Sequence, residues 1–252
     1  MNKWRLRLEY EGTRFSGWQV QPNQVTVQSE LEAAVQHVFA DDSIRVIASG
    51  RTDAGVHALG QVVHFRSDAK RTPEQVRRGL NSQLPPEIAC LEAAPAHADF
   101  HAQQSAVGKL YRYVMRTAPS RSALQRDRCW QLRYALDVEA MRSALHVLVG
   151  RHDFSSFRAT GCAAKSPVRT VSRAEVLIQE DALWVELYGE GFLRHMVRNI
   201  VGSLHEVGRH KHPPEWFSHL LEVRDRTQAG VTAPAAGLFL VRVDYPAELR
   251  VP

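Results

Sequence analysis

The alternation of apolar and polar residues predicts several strands in the first half of the chain. Residues 4–10 (WRLRLEY) place an apolar side chain at every second position, which is the period of a half-buried strand. Further strands are predicted over 44–48, 60–66 and 88–94. Apolar residues recur at helical spacing after Thr26, and Thr72-Pro73-Glu74 is typical of a helix start. The predicted order is β-α-β-β-α-β, the ferredoxin-like arrangement.

The second half again mixes strands with helices. Strands are predicted over 107–115, 171–179, 182–188 and 237–243, with a hairpin at Glu180-Asp181. One helix is predicted from Asp137 to Leu148. The segment 192–201 leads into a second helix that continues through Val207, and a third helix is predicted to start at Trp216. We interpret this order as a second β-α-β-β-α-β half with one extra helix.

The predicted fold class is α+β, with two ferredoxin-like halves. Residues 1–105 form the N-terminal half and residues 106–252 the C-terminal half, with 99–106 crossing between them. Because no long linker separates the halves, we expect their mainly antiparallel sheets to join edge to edge. Helices would cover one face, and the active-site cleft would lie between the halves.

Composition and the N-terminal segment favour a soluble cytoplasmic protein. Of the 252 residues, 44% are hydrophobic and 23% are charged, as in ordinary globular proteins. No apolar run reaches the length of a membrane span, and residues 1–6 lack the apolar core of a signal peptide. Cys90, Cys129 and Cys162 are far apart, which argues against a disulfide framework. With no metal-ligand spacing among the histidines, we expect no metal site.

The charge balance is compatible with a polyanionic partner. The formal charge is +5 and the pI is about 9.3. Many basic proteins bind no nucleic acid, so the local clustering of arginines matters more than the total.

A carboxylate between two glycines follows the predicted strand 44–48. Asp53 lies in the stretch SGRTDAGVHA (49–58), on a loop before the next strand. Gly50 and Gly55 permit backbone angles that other residues avoid, and Arg51 could favour the ionised carboxylate or reach for phosphate. Spacing alone favours the simpler interpretation, in which Asp53 only caps a turn.

Three other features are ambiguous when taken alone. Phe15 and Trp18, in a loop with Arg14, look exposed; they either plug the edge of the sheet or line an RNA groove. Tyr111 alternates with Tyr113 on a strand, so one of the two belongs to the core. Arg198, at a predicted helix start, is either a phosphate contact or a surface ion pair.

Several long motifs together resemble the tRNA pseudouridine synthase A family, in the right order over essentially the whole chain. They are GRTDAGVH (50–57) with GQVVHF (60–65), FHA (100–102), KLYRY (109–113), HMVRNIVG (195–202) and GLFL (237–240). The chain departs from the family pattern at Gln103-Gln104 and at Leu110. These departures affect peripheral RNA contacts and leave the chemistry in place.

The resemblance implies roles for individual residues. Asp53 matches the catalytic nucleophile, Tyr111 the active-site tyrosine, and Arg198 the arginine that pairs with the catalytic carboxylate. Arg51 would fill the space that the displaced base leaves. The expected substrate-binding residues are Tyr111, Arg51, Arg14, Trp18, His57, Lys109, Arg112, Arg158, Lys165, Arg169, His195 and Leu238. Arg77 and Arg78 fit solvated surface charge better.

The same resemblance implies the activity: conversion of uridine to pseudouridine at positions 38, 39 and 40 of the tRNA anticodon stem-loop. It further implies a homodimer, with no cofactor and no membrane. Two other classes remain open. A non-catalytic RNA-binding protein fits the element order and the aromatics, but gains nothing from a carboxylate at Asp53. A small-molecule isomerase leaves the basic loops without a role.

Overall fold

A computed structural model describes residues 2–249, which form two compact units. The first unit contains the described residues up to Gly108 together with those from Phe239 onward. The second unit is Lys109–Leu238. The final strand is therefore grouped mainly with residues from the beginning of the chain.

Strands and helices are both well represented in the described residues. The strands are β1 (Asn2–Tyr10), β2 (Ile47–Ala48), β3 (His57–Ser67), β4 (Ile88–Pro95), β5 (Gly108–Thr117), β6 (Trp130–Leu132), β7 (Gly150–Asp153), β8 (Val168–Gln179), β9 (Ala182–Gly189) and β10 (Leu238–Asp244). The helices are α1 (Val27–Phe39), α2 (Pro73–Gln83), α3 (Val138–His146), α4 (Met196–Gly208) and α5 (Trp216–Val223). Most strand pairs are antiparallel, which confirms the α+β class.

In the first unit, β1 lies between β3 and β4 and is antiparallel to both. The short β2 is antiparallel to β3, while β10 pairs with the start of β3 in parallel, with Phe239 opposite His57. The chain order β1-α1-β2-β3-α2-β4 is the order that the sequence pattern predicts. The ferredoxin-like assignment itself stays a prediction.

Both helices of the first unit begin at a capping box. The Thr26 side chain accepts from the backbone N–H of Ser29, whose hydroxyl in turn accepts from the backbone of Thr26. Thr72 and Gln75 make the same reciprocal pair at the start of α2. Each pair satisfies two backbone donors that have no partner inside the helix. The predicted helix starts are therefore confirmed, with the expected chemistry.

The alternation in β1 corresponds to one buried face. Trp4, Leu6, Leu8 and Tyr10 are each at most 3% exposed. The Phe39 ring, from α1, lies 5.8 Å from the Trp4 ring and makes an edge contact with it. Burying such side chains contributes roughly 1.5–3 kcal/mol each relative to exposure. This core holds the strands that flank the Asp53 loop.

In the second unit, β9 pairs antiparallel with β5 on one side and with β8 on the other, and β7 extends the ladder beyond β8. The hairpin between β8 and β9 turns at Glu180, which has a φ of +48°, as the sequence predicts. Asp137 caps α3 by accepting from the backbone N–H of Ala140, again as predicted. Almost every residue of α4 is buried, so this helix forms the centre of the unit.

Three short segments differ from the predictions. Only Ile47–Ala48 of the predicted strand 44–48 pairs with a neighbour, although Ile44 and Val46 are buried in the preceding loop. The alternation of apolar residues over 44–48 therefore corresponds to buried side chains, most of which do not belong to a paired strand. The strands β6 and β7 were not predicted, because three and four residues are too few to show a period.

The segment 96–105 covers one side of β3 through a histidine. His64 Nδ1 accepts a 3.1 Å hydrogen bond from the backbone N–H of Ala102. Its ring lies 4.7 Å from the ring of His101, and only 5% of its surface is exposed. Burial, followed by the charges of His101, Lys3 and Arg66, lowers the pKa of His64 from 6.5 to about 4.

We expect mild acid to destabilise this protein through His64. The unfolded chain takes up the proton near pH 6.5 and the folded chain only near pH 4, so stability is full above 6.5 and falls between these values. A pKa difference of this size corresponds to roughly 3 kcal/mol. Urea unfolding at pH 7.5, 5.5 and 4.5 measures the loss, and His64→Gln should flatten it. The exposed His97→Gln variant is the control; an identical pH profile in wild type and His64→Gln would contradict the assignment.

None of the helices within residues 2–249 has the length and apolarity that a bilayer crossing requires. The same residues hold no group of three or more histidine, cysteine or acidic side chains that could bind a metal ion. Cys90 and Cys129 are buried and Cys162 is half-buried, and all three are free thiols.

Candidate active site

Buried polar side chains hold the first residues of the loop that carries Asp53. Gln61, on β3, is fully buried; its Oε1 accepts from the Ser49 hydroxyl at 2.7 Å, and its Nε2 donates to the Gly50 carbonyl at 2.9 Å. A buried amide with these partners holds both residues at the start of the loop. The loop therefore leaves β2 along a defined path.

The middle of the loop is held by a tyrosine. The hydroxyls of Tyr10 and Thr52 are 2.8 Å apart and share a hydrogen bond. Burial raises the pKa of Tyr10 to about 12, so the phenol stays neutral at physiological pH. The Thr52 carbonyl also accepts from the backbone N–H of Trp18 at 3.0 Å. The residue immediately before Asp53 is thus bonded on two sides.

Glycines allow the backbone to pass closely around this loop. A Cβ on Gly12 would lie 2.0 Å from the Val56 carbonyl oxygen, which leaves no room for a side chain. Gly55 has a φ of +76°, in the left-handed region that favours glycine. Asp53 is half-buried on this rigid turn, and Arg51 is exposed beside it. The predicted position of Asp53, on a loop between two strands, is confirmed.

In the second unit, the two tyrosines of β5 have different surroundings. Tyr113 is fully buried, and its hydroxyl donates to the Pro234 carbonyl at 2.8 Å. Tyr111 is 9% exposed, and the Phe192 ring meets it edge-on at 5.2 Å. Tyr113 is therefore the core residue of the pair. Tyr111 keeps a small accessible surface next to a second aromatic ring.

Arg198 lies in the first turn of α4, after an unusual helix start. His195 caps the helix with a φ of +60°, a left-handed angle that is uncommon outside glycine. The half-buried Arg198 donates from Nε to the Ala233 carbonyl at 2.8 Å, and its own carbonyl accepts from the Ala233 N–H at 3.1 Å. This pair of bonds fixes the guanidinium relative to residue 233.

Basic residues predicted to contact substrate lie on the loop 158–167, at the start of β8 and on β5. Arg158 donates to the carbonyls of Cys162 and Ala164, each at 2.7 Å. These two hydrogen bonds hold the loop backbone around the guanidinium. Lys165 is exposed near the end of this loop. On β5, burial and then the charge of Arg169 lower the pKa of Lys109 to about 8.

Four predicted substrate-binding residues are engaged in packing. Trp18 is 2% exposed and packs against Tyr10, so the prediction that it is exposed is wrong, and Phe15 is equally buried. His57 is 2% exposed, accepts from the backbone N–H of Gly12 and stacks on the Phe239 ring at 4.7 Å. Leu238 is buried.

Arg112 is the fourth of these residues. It pairs with the buried Glu186 at 2.7 Å and lies 3.7 Å from the centre of the Trp184 ring. An arginine and a glutamate that lie directly opposite each other on two paired strands form a favourable ion pair. The alternation within one strand does not show which residue lies opposite on the other. Arg14 pairs with Glu87 but keeps an exposed side chain, while Arg77 and Arg78 pair with Glu74 at the surface, as expected for solvated charge.

Several residues that shape the two regions were not predicted from the sequence. Gln61 directly precedes the apolar pair Val62-Val63 in β3, and a polar side chain at that position could have marked it as a buried anchor. Asn199 is fully buried in α4 and donates to the Phe157 carbonyl at 2.8 Å. Phe192 gave no signal, because a lone aromatic before a helix is ordinary.

Comparison with known proteins supports the motif-based resemblance. A family model described as tRNA pseudouridine synthase matches residues 8–103 and 144–246. The chain is 46% identical over 248 residues to tRNA pseudouridine synthase A of Hydrogenovibrio crunogenus, covering 98% of this chain and 94% of that protein. It is 47% identical over 241 residues to the protein of the same name from Syntrophotalea carbinolica, covering 96% and 95%.

A third relative, tRNA pseudouridine synthase A of a Geobacillus species, is 45% identical over 245 residues and is covered to 97% of its length. Identity at this level over nearly the full length of both chains shows common descent. The chain belongs to the tRNA pseudouridine synthase family, and it is an enzyme of the isomerase class.

Proposed function

We propose that this chain isomerises uridine to pseudouridine at positions 38, 39 and 40 of the tRNA anticodon stem-loop, with Asp53 as the nucleophile and no cofactor. The observation that carries the proposal is the nearly full-length identity to proteins named tRNA pseudouridine synthase A. The rigid, glycine-flanked loop that presents Asp53 supports the assignment of the nucleophile.

The proposed isomerisation requires little from the protein beyond a well-placed carboxylate. The bond between uracil N1 and ribose C1′ breaks, the base turns, and C1′ joins C5; C5 loses a proton and N1 gains one. No electron is transferred and no group is donated, so a cofactor has no task. A carboxylate can add to carbon and leave again, either at the ribose or at the uracil ring.

Tyr111 and Arg198 complete the proposed catalytic set. We assign the guanidinium of Arg198 to the ionised carboxylate of Asp53, because a desolvated carboxylate otherwise favours its protonated form. We assign the Tyr111 ring to the uracil, which must leave the helical stack before it can react. This scheme requires the proposed two ferredoxin-like halves to bring all three side chains to one cleft.

The exposed or half-buried basic residues are the proposed RNA contacts. They are Arg14, Arg51, Lys109, Arg158, Lys165 and Arg169, with His195 beside Arg198. Trp18, His57, Arg112 and Leu238 are left out because they are engaged in packing. We also propose a homodimer acting in the cytoplasm; light scattering that gives the mass of a single 28.4-kDa chain would contradict the dimer.

The direct test is to incubate the purified protein with unmodified tRNA and nothing else, and then map pseudouridine along the strand. We expect conversion only at positions 38, 39 and 40, with full activity in the presence of a chelator. Binding without conversion would favour the non-catalytic RNA-binding protein, and conversion of free uridine would favour the small-molecule isomerase. Conversion at other positions would retain the class of enzyme and overturn the assigned site.

A further inference from the structure

The segment 226–233, which we term the strap, is hydrogen-bonded to one side of α4. The Thr232 hydroxyl donates to Asn199 Oδ1 at 2.6 Å, and Arg226 Nη2 donates to the same oxygen at 3.1 Å. The Gly230 N–H donates to the Ser203 hydroxyl at 3.0 Å. Three residues of the strap are thus tied to two polar residues of a helix that is otherwise apolar in this stretch.

The strap and α4 also approach each other more closely than side chains would allow. A Cβ on Gly202 would lie 1.6 Å from the Val231 carbonyl oxygen, and a Cβ on Gly230 would lie 2.8 Å from Ser203 Cα. Contact between two backbones leaves no compressible side chain to absorb a shift. The position of the strap therefore follows the position of α4 closely.

The last residue of the strap, Ala233, is the one that holds Arg198. Thr232 precedes Ala233, which is fully buried and whose carbonyl accepts from Arg198 Nε. Arginine side chains lose considerable rotamer freedom when they are held in one geometry. Because the Nε–H bond fixes the plane of the guanidinium, the direction of its outer nitrogens depends on where the Ala233 carbonyl lies.

We propose that Thr232 and Asn199 are positioning residues for Arg198, acting through the strap. Thr232 ties the strap to Asn199, and Asn199 ties α4 to the Phe157 carbonyl, so the Ala233 carbonyl is held at a fixed place. A buried polar network of this kind specifies a single arrangement of its residues, because each hydrogen bond requires a particular direction. Apolar side chains at the same positions would pack without specifying a single arrangement. The inference rests on the proposed role of Arg198 in catalysis.

The test compares Thr232→Val with Thr227→Val, a matched control. The Thr227 hydroxyl donates only to Asp225, at the exposed beginning of the strap. Thr232→Val removes the hydroxyl that donates to Asn199 Oδ1 and accepts from Arg226 Nη2 at 3.2 Å. Losing these part-buried bonds, which orient the proposed catalytic guanidinium, should lower kcat about tenfold. We expect tRNA affinity to stay within about twofold, Thr232→Ser to restore the rate, and Thr227→Val to match wild type. Equal kcat in both valine variants would overturn the proposal.

Two further measurements separate a positioning role from simple stability. On an Arg198→Lys background, which lacks Nε, Thr232→Val should cause no additional loss, because both changes remove the same interaction. Independently of activity, the Arg198 Nε–H signal in NMR should exchange faster with water in Thr232→Val than in Thr227→Val. If wild type itself converts no uridine, the proposed function fails, whereas unchanged exchange refutes the strap inference alone.

Discussion

Replacing Asp53 with asparagine should abolish conversion of uridine while leaving the protein folded and able to bind tRNA. The amide has the shape of the carboxylate and no negative charge, so it cannot form and release a bond to carbon. Removing a nucleophile that acts with its partners as a unit typically costs roughly 10⁴-fold or more in kcat. Single-turnover assays with radiolabelled tRNA measure the rate, and filter binding measures the affinity.

The control is Asp42→Asn, a change of the same kind at an exposed position of the same unit. It should match wild type in rate, affinity and melting temperature. The anchors of the loop are Gln61, Tyr10 and Thr52, none of which touches substrate in the proposed scheme, so the loop should present the substituted amide as it presents the carboxylate. Retained conversion by Asp53→Asn in a preparation free of other synthases would remove the nucleophile assignment.

Replacing Arg198 with lysine should lower kcat by about 10²- to 10³-fold, the usual cost of losing an oriented charge at a reacting group. Lysine keeps the positive charge but has no Nε–H to donate to the Ala233 carbonyl and no planar fork to pair with a carboxylate. The measurement is the single-turnover rate at one fixed pH, with tRNA affinity determined alongside it.

Arg209→Lys serves as the matched control for this change. Arg209 follows the same helix, is exposed, and lies over the Tyr134 ring at 5.0 Å, away from Ala233. We expect it to retain the wild-type rate and tRNA affinity. If Arg198→Lys and Arg209→Lys behaved alike, Arg198 would have no role beyond its charge.

The two predictions rely on features that the sequence revealed to different degrees. Asp53 is surrounded by glycines and a strand on either side, so its loop position follows from local chemistry alone. Arg198 was identified only through its motif, since an arginine at a helix start has many ordinary uses. Its bonds to Ala233, 35 residues further along the chain, belong to no local pattern.

Burial is the property that the local sequence pattern indicates least well. Trp18 and His57 were predicted to contact substrate, yet both are 2% exposed. A loop aromatic and a strand histidine look available in a sequence because their covering groups come from elsewhere: Tyr10 covers Trp18, and Phe239 covers His57. Arg112 is half-buried, and its partner Glu186 lies on another strand, so this ion pair could not be predicted from the local pattern.

The sequence by itself determined the strands and helices with clear periods, the capped helix starts, the loop position of Asp53 and the family. All of these depend on neighbours along the chain or on long motifs, so they can be read from the sequence directly. Only the tertiary structure decided which polar side chains are buried anchors, which aromatics are covered, and how Ala233 and Thr232 hold α4. The reason is that burial and hydrogen bonding between distant residues depend on distance in space, which sequence separation does not specify.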